Sequence, residues 1–295
     1  MTAPGPPGSP GSRPTAGPDA APHCVRHPDR PTALACTRCG RPACPDCLRA
    51  APVGAHCVDC VAEAARTTRA PRTVGGGRAR PGATPVVTIT LVAVNVVVFV
   101  LTALSAGSAW ANYTSPWVEA TWLVPADVAA GQWWRLVTAG FLHIGPLHVA
   151  VNMFALWVLG RDLELVLGRL RYALLYGVSL LGGSTAIMLF GDPDRPVAGA
   201  SGAVFGLMGA LVVVLRRLQL SPTPALLTIG LNVVLTFTIP GLSVLGHLGG
   251  LVTGLLVAAA LVHGPARSDP RAGLWAVGGI AAVLVVLDVL RVLTL

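Results

Sequence analysis

Three short clusters of polar residues in this chain carry the groups that acyl transfer requires. They are His143-x4-His148-x3-Asn152, Gly199-Ala200-Ser201-Gly202 and Gly246-His247-Leu248-Gly249-Gly250. A serine hydroxyl becomes a nucleophile when a neighbouring base takes its proton, and an imidazole is the commonest such base. Ser201 and His247 provide that pair. His148 and Asn152, four residues apart and so on one face of a helix, add two hydrogen-bond donors. Each residue alone has a plainer reading: a serine among small residues packs, and a lone histidine is a satisfied polar group. Their joint occurrence in apolar surroundings is the signal, because polar groups inside a bilayer are costly.

A second set of reactive groups lies nearer the N-terminus. All seven cysteines fall between Cys24 and Cys60, in four knuckle pairs: Cys24-x2-His27, Cys36-x2-Cys39, Cys44-x2-Cys47 and Cys57-x2-Cys60. Eight ligands suffice for two tetrahedral zinc ions with no position left open for water, which implies structural or partner-binding sites rather than catalytic ones. A disulfide framework would leave one of the seven cysteines unpaired, whereas zinc takes His27 as the eighth ligand. His23 and His56 each flank a knuckle cysteine and could substitute as ligands, although exposed neighbours is the plainer reading. So short a segment lacks a sizeable apolar core, so metal would supply most of its folding free energy. The spacing resembles B-box-type zinc domains. That resemblance implies a cross-braced order, with Cys24, His27, Cys44 and Cys47 at one metal and Cys36, Cys39, Cys57 and Cys60 at the other. Spacing by itself leaves a sequential pairing open.

The elements that must position the acyl-transfer groups follow from composition. With 53% hydrophobic and 12% charged residues, most of the chain belongs in a bilayer. The formal charge of +8 comes from arginine without any lysine. The arginines sit in short clusters between apolar runs, which points to membrane topology and away from nucleic acid. Runs near the ~20 residues that cross a hydrocarbon core occur at 86–105, 147–164, 170–190, 200–217, 222–239, 243–263 and 272–293, predicting seven membrane helices. Arg66 to Arg80, Arg161, Arg169, Arg171, Arg216, Arg217, Arg267 and Arg271 then fall on one side, against Arg135, Arg195 and Arg291 on the other. The N-terminus is therefore expected in the cytoplasm and the C-terminus outside, with all three polar clusters toward the outer leaflet. The connection from 106 to 146 holds Trp110, Trp117, Trp122, Trp133 and Trp134, residues suited to the outer interface. Asp288 and Arg291, three apart, read as a pair. Gly246, Gly250 and Gly254, with Gly202, Gly206 and Ala210, recur every four residues and would let spans four and six approach closely.

From about 84 to 263 these residues resemble the rhomboid family of intramembrane serine proteases. The matching motifs are Trp134-Arg135, the His143, His148 and Asn152 constellation, Gly160-x3-Glu164-x3-Gly168, Gly199-x-Ser201-Gly202, and His247 followed by Gly250 and Gly254. The resemblance implies a Ser201–His247 dyad without an acidic third member. It places the oxyanion on His148, Asn152 and the Ser201 backbone N–H, with His143, Gly199, Gly202, Trp134 and Arg135 in support. Rhomboids often carry Tyr four residues after the serine, stacked on the base; here Phe205 keeps the stack without the hydroxyl.

The expected fold class is an all-α membrane protein: a rhomboid six-helix core with a C-terminal seventh transmembrane helix, preceded by a small zinc-binding domain. Residues 1–22 read as a disordered tail without a signal peptide, 23–61 as the two-zinc domain and 62–84 as a flexible basic linker. The protease core covers 85–263 and the seventh helix 264–295. The expected activity is serine endopeptidase cleavage in or near transmembrane segments of membrane-protein substrates, with no catalytic cofactor, two structural zinc ions and a cytoplasmic protein partner for the zinc domain. The alternative is a catalytically silent relative that binds membrane clients.

Overall fold

The structure, a computed structural model, describes residues 21–67, 73–74, 84–263 and 271–295. The expected tail over 1–20 and Arg69, Arg72, Arg78, Arg80 and Arg267 lie outside the described residues. The chain divides into two compact units, Met1–Arg69 and Ala70–Leu295.

The first unit is built around its cysteines. Strands β1 (His23–Cys24) and β2 (His27–Pro31) pair antiparallel, as do β3 (Leu48–Ala50) and β4 (Ala55–Cys57). Helix α1 (Val58–Thr67) follows directly from β4. The buried cluster here is six cysteines with Ala43, and Leu48 packs on it. Such a core buries too little hydrocarbon to offset chain entropy. α1 also occupies the start of the stretch expected to be a linker. The glycines and prolines that argued against helix begin only at Pro71, leaving Val58 to Thr67 free of breakers.

The second unit is helical. α2 (Val86–Ala106) leads into three short helices, α3 (Pro116–Glu119), α4 (Pro125–Ala129) and α5 (Arg135–Thr138). The long helices are α6 (Pro146–Leu167), α7 (Arg169–Phe190), α8 (Ser201–Arg217), α9 (Thr223–Thr238), α10 (Val244–His263) and α11 (Ala272–Val292). All seven apolar runs are helices, but four of them (α2, α7, α10 and α11) are long and apolar enough to cross a membrane. A fifth joins them if α6 and the preceding Arg135–Phe141 segment, bent by 94°, count as one span. The other two, α8 and α9, are shorter, at 17 and 16 residues. At 1.5 Å per residue, the 17 residues of α8 reach only about 25 Å, short of the ~30 Å hydrocarbon thickness. A helix of that length starts inside the membrane if its other end reaches the surface, and Ser201 is its first residue.

α8 is the central helix, with Ala203 through Ala210 continuously buried against α7, α10 and α6. The core around it contains Leu156, Leu163, Tyr172, Leu175, Leu207 and Leu261. Glycines set the α8–α10 spacing. A methyl group on Gly250 would collide with the carbonyl oxygen of Gly202, and one on Gly254 with that of Gly206. α11 is tied to α7 by Thr185 Oγ1 donating to Asp288 Oδ2 at 3.0 Å and Arg291 Nε donating to the Met188 carbonyl at 3.0 Å. The expected Asp288–Arg291 pair is not what forms, because each side chain finds a partner across the helix interface.

The first turn of a helix leaves amide N–H groups without internal partners. At α2 these are met by a carboxylate from α6: the N–H of Val87 and of Thr88 donate to Glu164 at 3.0 and 2.8 Å, and the Thr88 hydroxyl donates to it at 2.8 Å. Glu164 is buried, so removing it strands three donors at once. Hydrogen bonds to a charged group contribute about 1.5–3 kcal/mol each. Glu164→Ala is accordingly expected to lower stability by at least one such increment in thermal or denaturant unfolding in detergent. An unchanged midpoint would contradict this anchoring.

Candidate active site and metal clusters

The loop before α8 is fixed by backbone pairing before any side chain is considered. Leu123 and Val197 exchange N–H···O bonds of 2.9 Å, and Gly199 N–H donates to the Ala139 carbonyl at 2.9 Å. Gly199 has φ +136°, a conformation that disfavours a side chain, and a methyl group there would lie 3.0 Å from the His148 ring. This turn delivers Ser201 to the first position of α8.

The Ser201 hydroxyl lies 2.8 Å from His247 Nε2. Their helices are 46 residues apart in sequence along this contact and are brought together by the glycine faces of α8 and α10. The His247 ring stacks on Phe205, centroids 4.2 Å apart and planes 12° from parallel, so the expected stack forms without a hydroxyl. Its other nitrogen, Nδ1, lies 2.7 Å from Thr236 Oγ1 on α9.

His148 is the third residue of α6. The Ile144 N–H donates to its Nδ1 at 3.2 Å. A neutral imidazole that accepts at Nδ1 carries its proton on Nε2. That Nε2 faces the same small space as Ser201 Oγ, since a methyl group on Gly199 would be 3.0 Å from one and 3.5 Å from the other. His148 thus presents an N–H beside the hydroxyl. Asn152 donates its amide to the His148 carbonyl at 3.0 Å, which commits one of its two N–H bonds. His143 is buried and meets His148 edge-on, centroids 5.0 Å apart. A cavity of about 760 Å³ opens on this group, lined by His148, Ser201, His247, Trp122, Ser243 and Leu245.

Trp134 and Arg135 lie in the support rather than in the cavity lining. Arg135 donates to the carbonyls of Glu119 and Trp122, both at 2.8 Å, and to Gln132, and it pairs with Asp127 at 3.1 Å. Trp134 Nε1 donates to the Ala120 carbonyl at 3.0 Å. Sequence reasoning missed Asn112 and Thr236. Asn112, fully buried, donates to the His143 carbonyl at 2.7 Å and accepts from Gly145 N–H at 3.0 Å, holding the entry to α6. Neither residue stands out in sequence: one is an asparagine in a polar loop, the other one of four threonines in α9.

In the first unit the knuckle pairs interleave. Cys24, His27, Cys44 and Cys47 converge, as do Cys36, Cys39, Cys57 and Cys60, each set offering ligand atoms within 4.8 Å of one another. His23 and His56 belong to neither set. His27 Nδ1 lies 3.8, 3.4 and 3.4 Å from the sulfurs of Cys24, Cys44 and Cys47, and the Cys39 and Cys57 sulfurs are 3.8 Å apart. With metal–sulfur and metal–nitrogen bonds of about 2.3 and 2.0–2.1 Å, a tetrahedron has edges of about 3.6–3.8 Å. The spacings fit that and are far from a sulfur–sulfur bond. All seven cysteines are free thiols.

The electrostatics agree. Backbone N–H groups, that of Cys44 foremost, pull the Cys24 thiol down to about 6. Burial opposes ionisation of Cys36, but the amides of Cys57, Cys39 and Arg38 bring it to about 6 as well. Cys39 and Cys57, with burial, push Cys60 up to about 12. Three or four thiols this close cannot all ionise without a cation among them, so both clusters could hold a metal ion. Arg41 Nε donates to Cys39 Sγ at 3.5 Å and offsets part of the charge.

Fold and site together define a multi-pass helical membrane protein in which a serine and a histidine from two helices meet at a cavity. The Rhomboid domain model matches residues 130–264. "Rhomboid protease GluP" of Bacillus subtilis (strain 168) is 34% identical over 207 residues, covering 68% of this chain and 39% of that protein. "Putative rhomboid protease YdcA" of the same organism is 33% identical over 141 residues, 46% of this chain and 71% of the relative. "RHOMBOID-like protein 6, mitochondrial" of Arabidopsis thaliana is 36% identical over 144 residues, 47% of each chain. The chain belongs to the rhomboid family. It spans less than half the length of the first and third of these relatives.

Metal content gives a direct check on the clusters. The purified chain is expected to carry two ions by elemental analysis, and Cys44→Ser to carry fewer. A metal-free, folded first unit would contradict the reading.

Proposed function

We propose that this chain is an intramembrane serine endopeptidase that hydrolyses peptide bonds in or near transmembrane segments of membrane proteins. The observation that carries the reading is the 2.8 Å contact between Ser201 Oγ and His247 Nε2 at the wall of the cavity.

In this mechanism His247 Nε2 takes the proton of Ser201 Oγ as the oxygen attacks the scissile carbonyl carbon. The resulting oxyanion is met by His148 Nε2–H, the Ser201 backbone N–H at the start of α8, and the uncommitted N–H of Asn152. His247 returns the proton to the leaving amine, and water admitted through the cavity then hydrolyses the acyl-enzyme with His247 again as base. The chemistry calls on no cofactor. His143, Gly199, Gly202 and Phe205 hold the reacting groups, and Trp134 and Arg135 hold the loop over them.

The clusters of the first unit suit zinc, since thiolate and imidazole donors in closed sets of four are its structural sites. We assign residues 23–61 to this domain, 62–84 to a connector, 85–263 to the protease core and 264–295 to an added helix. Arginine placement supports a cytoplasmic N-terminus, an active site toward the outer face and a C-terminus outside. A domain of closed metal sites on the cytoplasmic side is suited to holding a protein partner.

Two outcomes test the reading. Ser201→Ala is expected to abolish cleavage of a single-span model substrate in reconstituted membranes while the variant stays folded; serine-independent cleavage would defeat it. His148→Ala is expected to lower kcat by about 100–1,000-fold, the usual effect of losing one oxyanion donor. A loss confined to KM would assign His148 to substrate binding instead.

A further inference from the structure

Three contacts hold the His247 ring, and the third has no counterpart in a two-residue dyad. Thr236 is one of only two buried residues of α9, the other being Ala225. Its Oγ1 lies 2.7 Å from His247 Nδ1 and 2.7 Å from the carbonyl oxygen of Asn232, one turn earlier in the same helix. A hydroxyl has one proton to donate, and a carbonyl oxygen can only accept. With the Thr236 proton on the Asn232 carbonyl, Oγ1 has only lone pairs to offer Nδ1, so Nδ1 must carry the N–H. The lone pair of the neutral ring is then on Nε2, facing the Ser201 hydroxyl 2.8 Å away.

We propose that Thr236 is the positioning residue that fixes the base-competent tautomer of His247, through the chain Ser201 Oγ–H to Nε2, Nδ1–H to Thr236 Oγ1, and Thr236 O–H to the Asn232 carbonyl. This deepens the protease reading above and rests on it. The reverse tautomer would aim an N–H at Ser201 and could not accept its proton. The same chain also serves the imidazolium formed during attack. That ring donates from both nitrogens, and Oγ1 already accepts at Nδ1, so no group has to turn when the proton arrives. In a serine triad a carboxylate performs this orienting task with a full charge. Here a neutral hydroxyl, polarised by a helix carbonyl, does it inside an apolar bundle where a buried carboxylate would be costly. Phe205 fixes the ring plane by stacking but cannot choose between tautomers, because the ring faces carry no proton preference.

The test uses the full-length protein in detergent or reconstituted membranes. Thr236→Val keeps the shape and removes the hydroxyl, and Thr236→Ser keeps the hydroxyl. Thr236→Val is expected to lower kcat about 10-fold or more with KM little changed, the size of one lost hydrogen bond, and Thr236→Ser is expected to recover most of that loss. Nitrogen-15 spectra of histidine-labelled protein, with His247 assigned by its disappearance in His247→Gln, should show neutral His247 protonated on Nδ1 in the wild type and on a mixture of nitrogens in Thr236→Val. Wild-type His247 protonated on Nε2, or Thr236→Val with unchanged kcat, would overturn the proposal while leaving Ser201-dependent cleavage intact. Cleavage that persists in Ser201→Ala would instead overturn the dyad and, with it, the catalytic meaning of Thr236. Should Thr236→Val fail to fold, the wild-type tautomer still decides.

Discussion

Between α8 and α10 the backbones themselves are in contact. The place a side chain would need at Gly250 is filled by the Gly202 carbonyl, and at Gly254 by the Gly206 carbonyl. Lipid supplies no hydrophobic drive for helices to associate, so small residues that allow dense packing and close approach carry the interface. The same close approach sets Ser201, at the start of α8, beside His247 on α10. The glycine seam thus brings together the hydroxyl–imidazole contact and the Phe205 stack on the same ring.

Three other polar groups of the membrane unit serve backbone rather than chemistry. Glu164 receives the first amides of α2, Asn112 holds the loop ahead of α6, and Arg135 collects two loop carbonyls. Each replaces water where none is available, which is why an irregular connection of about forty residues can be held against a helix bundle. The rigidity so obtained reaches the site through two routes: the Asn112 bonds around His143 and Gly145, which set the start of the helix carrying His148, and the Leu123–Val197 pairing, which sets the turn before Ser201.

The cysteine unit solves the opposite problem. It has little hydrocarbon to bury, and its interior is sulfur and imidazole. Interleaved knuckles tie β1 to the Cys44–Cys47 turn and the Cys36–Cys39 turn to β4 and α1, so ligation of either set closes loops that no apolar core would close. One chain thus uses exclusion of water in one unit and charge neutralisation in the other.

Much of this was open to reading in the sequence. Apolar run length, arginine placement and the Cys/His knuckles have local physical causes, so they appear wherever those residues occur in order. The glycine repeats at 202, 206, 246, 250 and 254 likewise announced a close helix pair. Helix position was legible too: the run read at 200–217 is the helix Ser201–Arg217. What tertiary structure alone decided was partner choice. Asp288 and Arg291 have the spacing of a pair yet bond to α7, and Thr236 looks like three other threonines of α9 until α10 places an imidazole nitrogen 2.7 Å from it. Periodicity and spacing are properties of neighbours along the chain. Hydrogen-bond direction, and with it the nitrogen of His247 that faces Ser201, depends on which groups from distant helices are brought together.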